Sequence, residues 1–216
     1  MKTYSTQNIR NVVLLGSTRS GKTTLAEAML YEGKVIDRKG TVEGKNTVSD
    51  NTEYEQMNQK SVFATPLYTE FLDTKFNIID APGSDDFIGG AISAFKVCET
   101  GVLVVNAQQG VEVGTEIAAR FADEYKVPLI LGVNQLDGEK ANWEGTIEGL
   151  KEAFGSKPVI IQFPVNAGLG FDGFVDVLKM KYYHFVDDNG KREDLEIPAE
   201  YIDEAEELRQ ALIEKA

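Results

Sequence analysis

The residues that most constrain this chain are Gly16-Ser17-Thr18-Arg19-Ser20-Gly21-Lys22-Thr23, with Thr24 directly behind them. They follow the apolar run Val12-Val13-Leu14-Leu15 and precede Leu25-Ala26-Glu27-Ala28-Met29-Leu30. The pattern is GxxxxGK[ST] between a strand and a helix, the context that separates a phosphate-binding loop from a chance glycine-rich turn. Glycines let backbone N–H groups turn toward phosphate oxygens, and the following helix offers its positive end. Lys22 is expected to reach the outer phosphates, and the Thr23 hydroxyl to bind the Mg²⁺ that bridges them. The sequence predicts a nucleotide site.

With 216 residues the chain can bury a substantial core. Its formal net charge of −13 argues against a broad basic surface, so no direct sequence-specific nucleic-acid binding by this domain is expected. Cys98 is the single cysteine, which excludes an intrachain disulfide and suits a reducing compartment. The N-terminus lacks the apolar core of a signal peptide, and no apolar run approaches the ~20 residues of a membrane span. A soluble, cytoplasmic monomer without membrane contact is the expectation.

In chain order, residues 9–15 read as a buried strand and 22–31 as a helix. From Tyr31 to Gln59 the pattern dissolves into glycine, asparagine and scattered charge. A stretch of that length leaving a phosphate site is a candidate switch loop. Pro66–Leu72 and Thr74–Asp80 read as antiparallel strands joined near Leu72-Asp73-Thr74. The runs Gly101–Asn106 and Val127–Asn134 suit parallel strands buried on both faces. Between them, Glu112–Tyr125 places Val113, Ile117, Ala118 and Phe121 at helical spacing, and Trp143–Phe154 carries another helical face ending at Gly155. Pro158–Phe163 reads as the next strand. Strands alternating with helices imply a doubly wound, mostly parallel sheet of the P-loop NTPase type, with ligands at the carboxyl ends of the strands. Beyond Phe163 the character changes: two strands, a hairpin turn at Asp187-Asp188-Asn189-Gly190-Lys191, and a charged helix over Pro198–Ala216.

Two further motifs follow strands. Asp80-Ala81-Pro82-Gly83 fits DxxG, in which the aspartate faces Mg²⁺ and the glycine N–H faces a γ-phosphate, although such a turn is common on its own. Asn134-Gln135-Leu136-Asp137 fits NKxD with Gln135 in place of lysine, and Asp137 can accept two hydrogen bonds from a guanine edge that adenine cannot supply. An adenylate-using enzyme is disfavoured on that ground. The lone histidine, His184, lies in a hairpin strand away from these motifs, and Cys98 reads as a packed residue of a helical stretch with Phe95 and Val97.

With these motifs in order, the chain resembles the translational GTPases, specifically elongation factor G and its divergent paralogues. Asp80-Ala81-Pro82-Gly83-Ser84-Asp85-Asp86-Phe87 is similar to that family's DTPGHxDF. The resemblance continues through Ala107–Val111, Pro128–Ile130 and Ile197–Tyr201, almost the whole chain. It implies a GTPase domain over 1–163 lacking its last strand and helix, and over 164–216 the first part of the α+β insertion called G′. The family's fifth motif follows that insertion, so an N-terminal piece of a multidomain factor is expected. GTP or GDP with Mg²⁺ is the implied ligand, the ribosome the implied partner, and elongation-type translocation the implied role.

The departures carry chemistry. The resemblance implies a water-positioning histidine where Ser84 stands, with Lys22 and Gly83 as the other candidate catalytic residues. Alignment on Asp50 and Glu53 sets Asn58-Gln59-Lys60-Ser61-Val62 against the family's RGITI. Ser61 then joins Thr23 and Asp80 as a metal ligand, and Lys60 replaces an apolar gate residue. Arg19 stands for a usual acid, and two readings stay open, a charge supplied to the phosphates in cis or a solvated side chain. Slow hydrolysis is expected, and little activity of this piece alone. A regulatory or ribosome-protection factor in which hydrolysis is dispensable is the alternative.

Overall fold

A computed structural model describes residues 2–187 and 190–215. By its contacts the chain divides into two compact units, Met1–Asn106 with Val111–Asn134, and Ala107–Gly110 with Gln135–Ala216.

The first unit contains β1 (Ile9–Leu15), α1 (Lys22–Glu32), α2 (Glu53–Asn58), β2 (Thr65–Phe71), β3 (Thr74–Asp80), α3 (Ile88–Phe95), β4 (Thr100–Asn106), α4 (Val113–Tyr125) and β5 (Leu129–Asn134). Its sheet runs in the order β2-β3-β1-β4-β5. β1 pairs parallel with β3 and β4, in a register that sets Val12 beside Ile78 and Thr100. β2 alone is antiparallel, and the two residues of its turn, Leu72 and Asp73, both take left-handed φ angles, 46° and 58°. That is the twist a two-residue hairpin demands, here met without glycine.

Val13, Leu14, Leu103 and Val105 are at most 1% exposed, as continuous apolar strands in a helix-covered sheet should be. β5 departs from the expectation of burial on both faces. It lies at the edge of this sheet, and Ile130 is 52% exposed. In α4 the inward face is Thr115, Ala118, Ala119 and Ala122, and Val113, at the first turn, stays exposed. Cys98 is buried as expected, but beyond the end of α3 rather than within it. The stretch 31–59 is not structureless either. Thr52 and Glu55 form a reciprocal capping box that starts the six-residue helix α2.

The second unit holds α5 (Trp143–Phe154), β6 (Gln162–Pro164), β7 (Gly173–Asp176), β8 (Lys181–Phe185), β9 (Arg192–Leu195) and α6 (Ile202–Lys215). Its four strands are antiparallel neighbours in chain order. The expected parallel strand at 158–163 is therefore corrected: only Gln162–Pro164 pairs, and it pairs antiparallel with β7. An apolar run of that length fits either kind of sheet, and the partner decided it. Phe163 sits with Val175, Val177, Tyr182 and Ala205 in this unit's core, against which Trp143, Tyr201 and Leu208 pack. Residues 135–163, expected from sequence to belong to the incomplete nucleotide-binding core over 1–163, cluster by contact here. The β8–β9 hairpin is present, with Val186 N–H donating to the Lys191 carbonyl at 2.8 Å, and its tip, Asp188-Asn189, lies outside the described residues. The same holds for Ala216, the last residue of the helix expected over Pro198–Ala216. Among the described residues no helix is long and apolar enough to cross a membrane.

Candidate functional site

The loop between β1 and α1 is shaped by two glycines that no other residue can replace without a clash. Gly16 has φ 133°, and a Cβ there would lie 2.2 Å from the Val104 carbonyl oxygen of β4. Gly21 has φ 102°, and its Cβ would meet Asn134 Nδ2 at 2.1 Å. Asn134, at the end of β5, donates that Nδ2 to the Ser20 carbonyl at 2.9 Å, tying the third motif to the first. Arg19 also takes a left-handed φ, 65°. Thr18, Arg19 and Thr24 are exposed, whereas Ser17, Ser20, Lys22 and Thr23 are buried.

Lys22 is 5% exposed, and its ammonium donates to the Ser17 carbonyl at 2.8 Å. Burial lowers its pKa to about 8, against the pull of Asp80, Asp50 and Glu112. A cation placed under that strain is one an incoming anion relieves. The hydroxyl oxygens of Ser17 and Ser20 are buried without hydrogen-bond partners, and donors left in that state suit an absent acceptor. Gly83 packs against the loop so closely that a Cβ would stand 2.4 Å from Lys22 Nζ and 2.7 Å from the Gly16 oxygen.

Asp80, the last residue of β3, is fully buried. Its Oδ2 accepts the hydroxyls of Thr23 at 2.8 Å and Ser49 at 2.7 Å, and its Oδ1 has no partner. Ser61 Oγ lies 3.3 Å from Thr23 Oγ1. Burial pushes the Asp80 carboxyl up, with the Ser49 and Thr23 hydroxyls and Lys22 opposing. Asp50, 4% exposed, is raised for the same first reason, a hydrogen bond from Ser61 opposing, and one of its oxygens is also unpartnered. The expected metal residues Thr23, Ser61 and Asp80 are thus together. Hydroxyl and carboxylate oxygens around an unsatisfied buried acceptor fit Mg²⁺, whose remaining ligands are water and phosphate. Among the described residues no group of three or more His, Cys, Asp or Glu could hold a metal by itself.

Ser84 caps the short 3₁₀ turn Asp85–Phe87 from its start without a side-chain capping bond; its hydroxyl instead reaches Asp86 Oδ2 at 3.3 Å. Lys60 Nζ stands 5.5 Å over the Phe87 ring. In the second unit, Gln135 has φ 60° and accepts from Gln108 Nε2 at 3.1 Å, and Asp137 is exposed on the turn that follows. His184 contacts the Tyr182 hydroxyl at 3.1 Å within the antiparallel sheet of the second unit.

Sequence reasoning missed Ser49, which no periodicity in the loop announces. It also used Asp50 only as an alignment anchor. Glu27 and Glu55, both buried, went unread as well. For Glu55 a signal existed, since Thr52-x-x-Glu55 is the capping-box spacing.

Comparison with known proteins agrees with this geometry. The family described as "Elongation factor Tu GTP binding domain" matches residues 7–214. An elongation factor G-like protein of Thermotoga maritima is 37% identical over 97% of this chain. Elongation factor G of Mycoplasma genitalium is 32% identical over 99%. The chain spans 30% and 31% of the length of these two relatives. A solved structure from Thermus thermophilus superposes with a TM-score of 0.88 at 32% identity, covering 95% of this chain and 31% of its own.

Proposed function

Because this chain belongs to the translational GTPases, in their elongation-factor-G-like branch, we propose that it is the nucleotide switch of a longer factor that works on the ribosome. The observation that carries the reading is the meeting of the Thr23 and Ser49 hydroxyls on Asp80, with Ser61 against Thr23 and the Lys22 charge beside them. Gly16–Thr24 would cradle the phosphates, with Lys22 on the outer ones. Asn134, Gln135 and Asp137 would hold the guanine, Asp137 supplying the preference over adenine. Thr23, Ser61 and Asp80 would hold Mg²⁺, directly or through water. When bound, that ion neutralises charge on the β- and γ-phosphates. The protein's own part is to fix this oxygen set before the nucleotide arrives and to couple residues 35–65 to the γ-phosphate. The functional division we favour remains a nucleotide-binding core over 1–163 and the first part of an insertion over 164–216. A cytoplasmic monomer suits this role.

Hydrolysis is the weak step in this reading. Ser84 is too short to orient an attacking water as an imidazole does, and its hydroxyl is turned toward Asp86. Loss of one such positioned group typically costs ~10²–10⁴ in rate. The same observation favours a second reading, a regulatory or ribosome-protection factor that needs GTP binding but not turnover. The deciding experiment is single-turnover GTP hydrolysis by the full-length protein, with and without ribosomes, beside Ser84→His. Slow wild-type turnover that the histidine accelerates supports the reading. Ribosome-stimulated turnover by the wild type that Ser84→His leaves unchanged refutes the weakened site.

A further inference from the structure

Two buried carboxylates hold the long connection between α1 and β2, and neither takes part in the nucleotide contacts proposed above. Glu27 on α1 and Glu55 on α2 are each 1% exposed. Glu27 accepts the Gly40 N–H at 2.8 Å on one oxygen and the Val48 N–H at 2.6 Å on the other. Glu55 accepts the Val62 and Phe63 N–H groups at 3.0 and 3.1 Å on Oε1. Its Oε2 takes the Thr52 hydroxyl at 2.7 Å and the Thr52 N–H at 3.3 Å.

Each carboxylate therefore seats the backbone next to a hydroxyl of the metal cluster. Val48 precedes Ser49, whose hydroxyl reaches Asp80, and Val62 follows Ser61, whose hydroxyl meets Thr23. A buried carboxylate is tolerated only while its donors are in place. If the loop lifts, Glu27 on α1 loses its donors, whereas Glu55 and its donors Thr52, Val62 and Phe63 all belong to the loop, so Glu55 holds the loop's second half in shape from within. Burial alone would raise the Glu55 carboxyl, yet the Val62 N–H, the Thr52 hydroxyl and the Phe63 N–H hold it below its ordinary value.

We infer that Glu27 and Glu55 are positioning residues, a two-part clamp in which Glu27 ties residues 40–48 to α1 and Glu55 braces residues 52–63 from within, delivering the Ser49 and Ser61 hydroxyls to Asp80 and Thr23. The clamp's effect on affinity rests on the reading of this site as one for Mg²⁺ and a nucleoside triphosphate. Apart from the Thr52 hydroxyl, the two glutamates grip backbone N–H groups rather than loop side chains.

The test uses the full-length protein with Glu27→Gln and Glu55→Gln, each of which puts an N–H₂ where an acceptor is needed. Two quantities are read: amide hydrogen exchange over residues 40–63 without nucleotide, and affinity for a non-hydrolysable GTP analogue and for GDP, both with Mg²⁺. Exchange should quicken by about tenfold, and analogue affinity should fall by about tenfold with GDP affinity within about twofold, as for loss of hydrogen bonds to a charged group. Unchanged exchange in both variants overturns the clamp. Faster exchange with an unchanged analogue-to-GDP ratio overturns the positioning role. A wild type that binds neither nucleotide overturns the nucleotide reading instead, and exchange still decides the clamp. Should the glutamine variants fail to fold, Thr52→Ala removes one hydroxyl from Glu55 and is read by the same two measurements in smaller degree.

Discussion

Thr23 and Asp80, 57 residues apart in sequence, meet through a 2.8 Å hydrogen bond from the threonine hydroxyl to the aspartate's Oδ2. One residue lies in the first turn of α1 and the other closes β3, so the bond depends on β1 and β3 being parallel neighbours in register. The carboxylate oxygen left without a partner in this fully buried residue is the atom a divalent cation would satisfy.

Asp80→Asn should therefore weaken Mg²⁺-dependent binding of a GTP analogue by at least ~10-fold, while binding in EDTA changes little. Thr23→Ala should behave alike, and the double variant should lose less than the sum of the two, since the pair acts on one site. Calorimetric titrations at fixed and zero Mg²⁺ measure this. Independent, additive losses would refute a shared cation site.

The loop's geometry makes a second, sharper demand. At Gly16 a methyl group would strike the β4 carbonyl of Val104, and backbone cannot swing aside as a side-chain tip can. With the left-handed φ added, Gly16→Ala should cost about 2–4 kcal/mol in urea unfolding. Gly155→Ala has a positive φ, with ψ −138°, but open space around it, so it should meet only the conformational part of that cost, about 1–3 kcal/mol. Equal costs would show that contact, rather than conformation, matters little at the loop.

How much of this could be read from sequence depended on how local the signal was. The phosphate loop, the turn after Asp80 and the helix from Trp143 to Phe154 were legible, because caps, glycines and apolar spacing sit within a few residues of one another. Ser49 was not. It reaches Asp80 from inside a glycine-rich loop whose path is set by buried acceptors on α1 and α2, and no spacing encodes that. Pro158–Phe163 was misplaced because an apolar run states its burial but not its partner strand. The core of the second unit, with Phe163 against Val175 and Ala205, settled the pairing.

That second core gives a third prediction. Phe163 is 2% exposed at the centre of its cluster, so Phe163→Ala should destabilise the second unit by about 3–5 kcal/mol. Ile213 on α6 is 60% exposed, and Ile213→Ala should stay within about 0.5 kcal/mol. Denaturant unfolding of both variants checks the contrast, and a small loss at Phe163 would mean that the sheet holds without its core.

The last prediction concerns alkaline pH. Cys98 is buried beyond α3, and burial, with a smaller push from Glu99, raises its thiol from 9.0 to about 11. Below pH 9 both folded and unfolded chains keep the proton, so the thiol's contribution to stability is fully present. As pH rises from 9 toward 11 the unfolded chain gives up its proton first, and that contribution is lost. Between pH 8 and 10.5 the wild type should therefore lose about 1–2 kcal/mol more than Cys98→Ala does. Native protein at pH 8 should also react with iodoacetamide far more slowly than urea-unfolded protein, since thiolate is the reactive form. Parallel pH profiles for the two proteins, or equal alkylation rates in the folded and unfolded states, would place Cys98 in water rather than in the core.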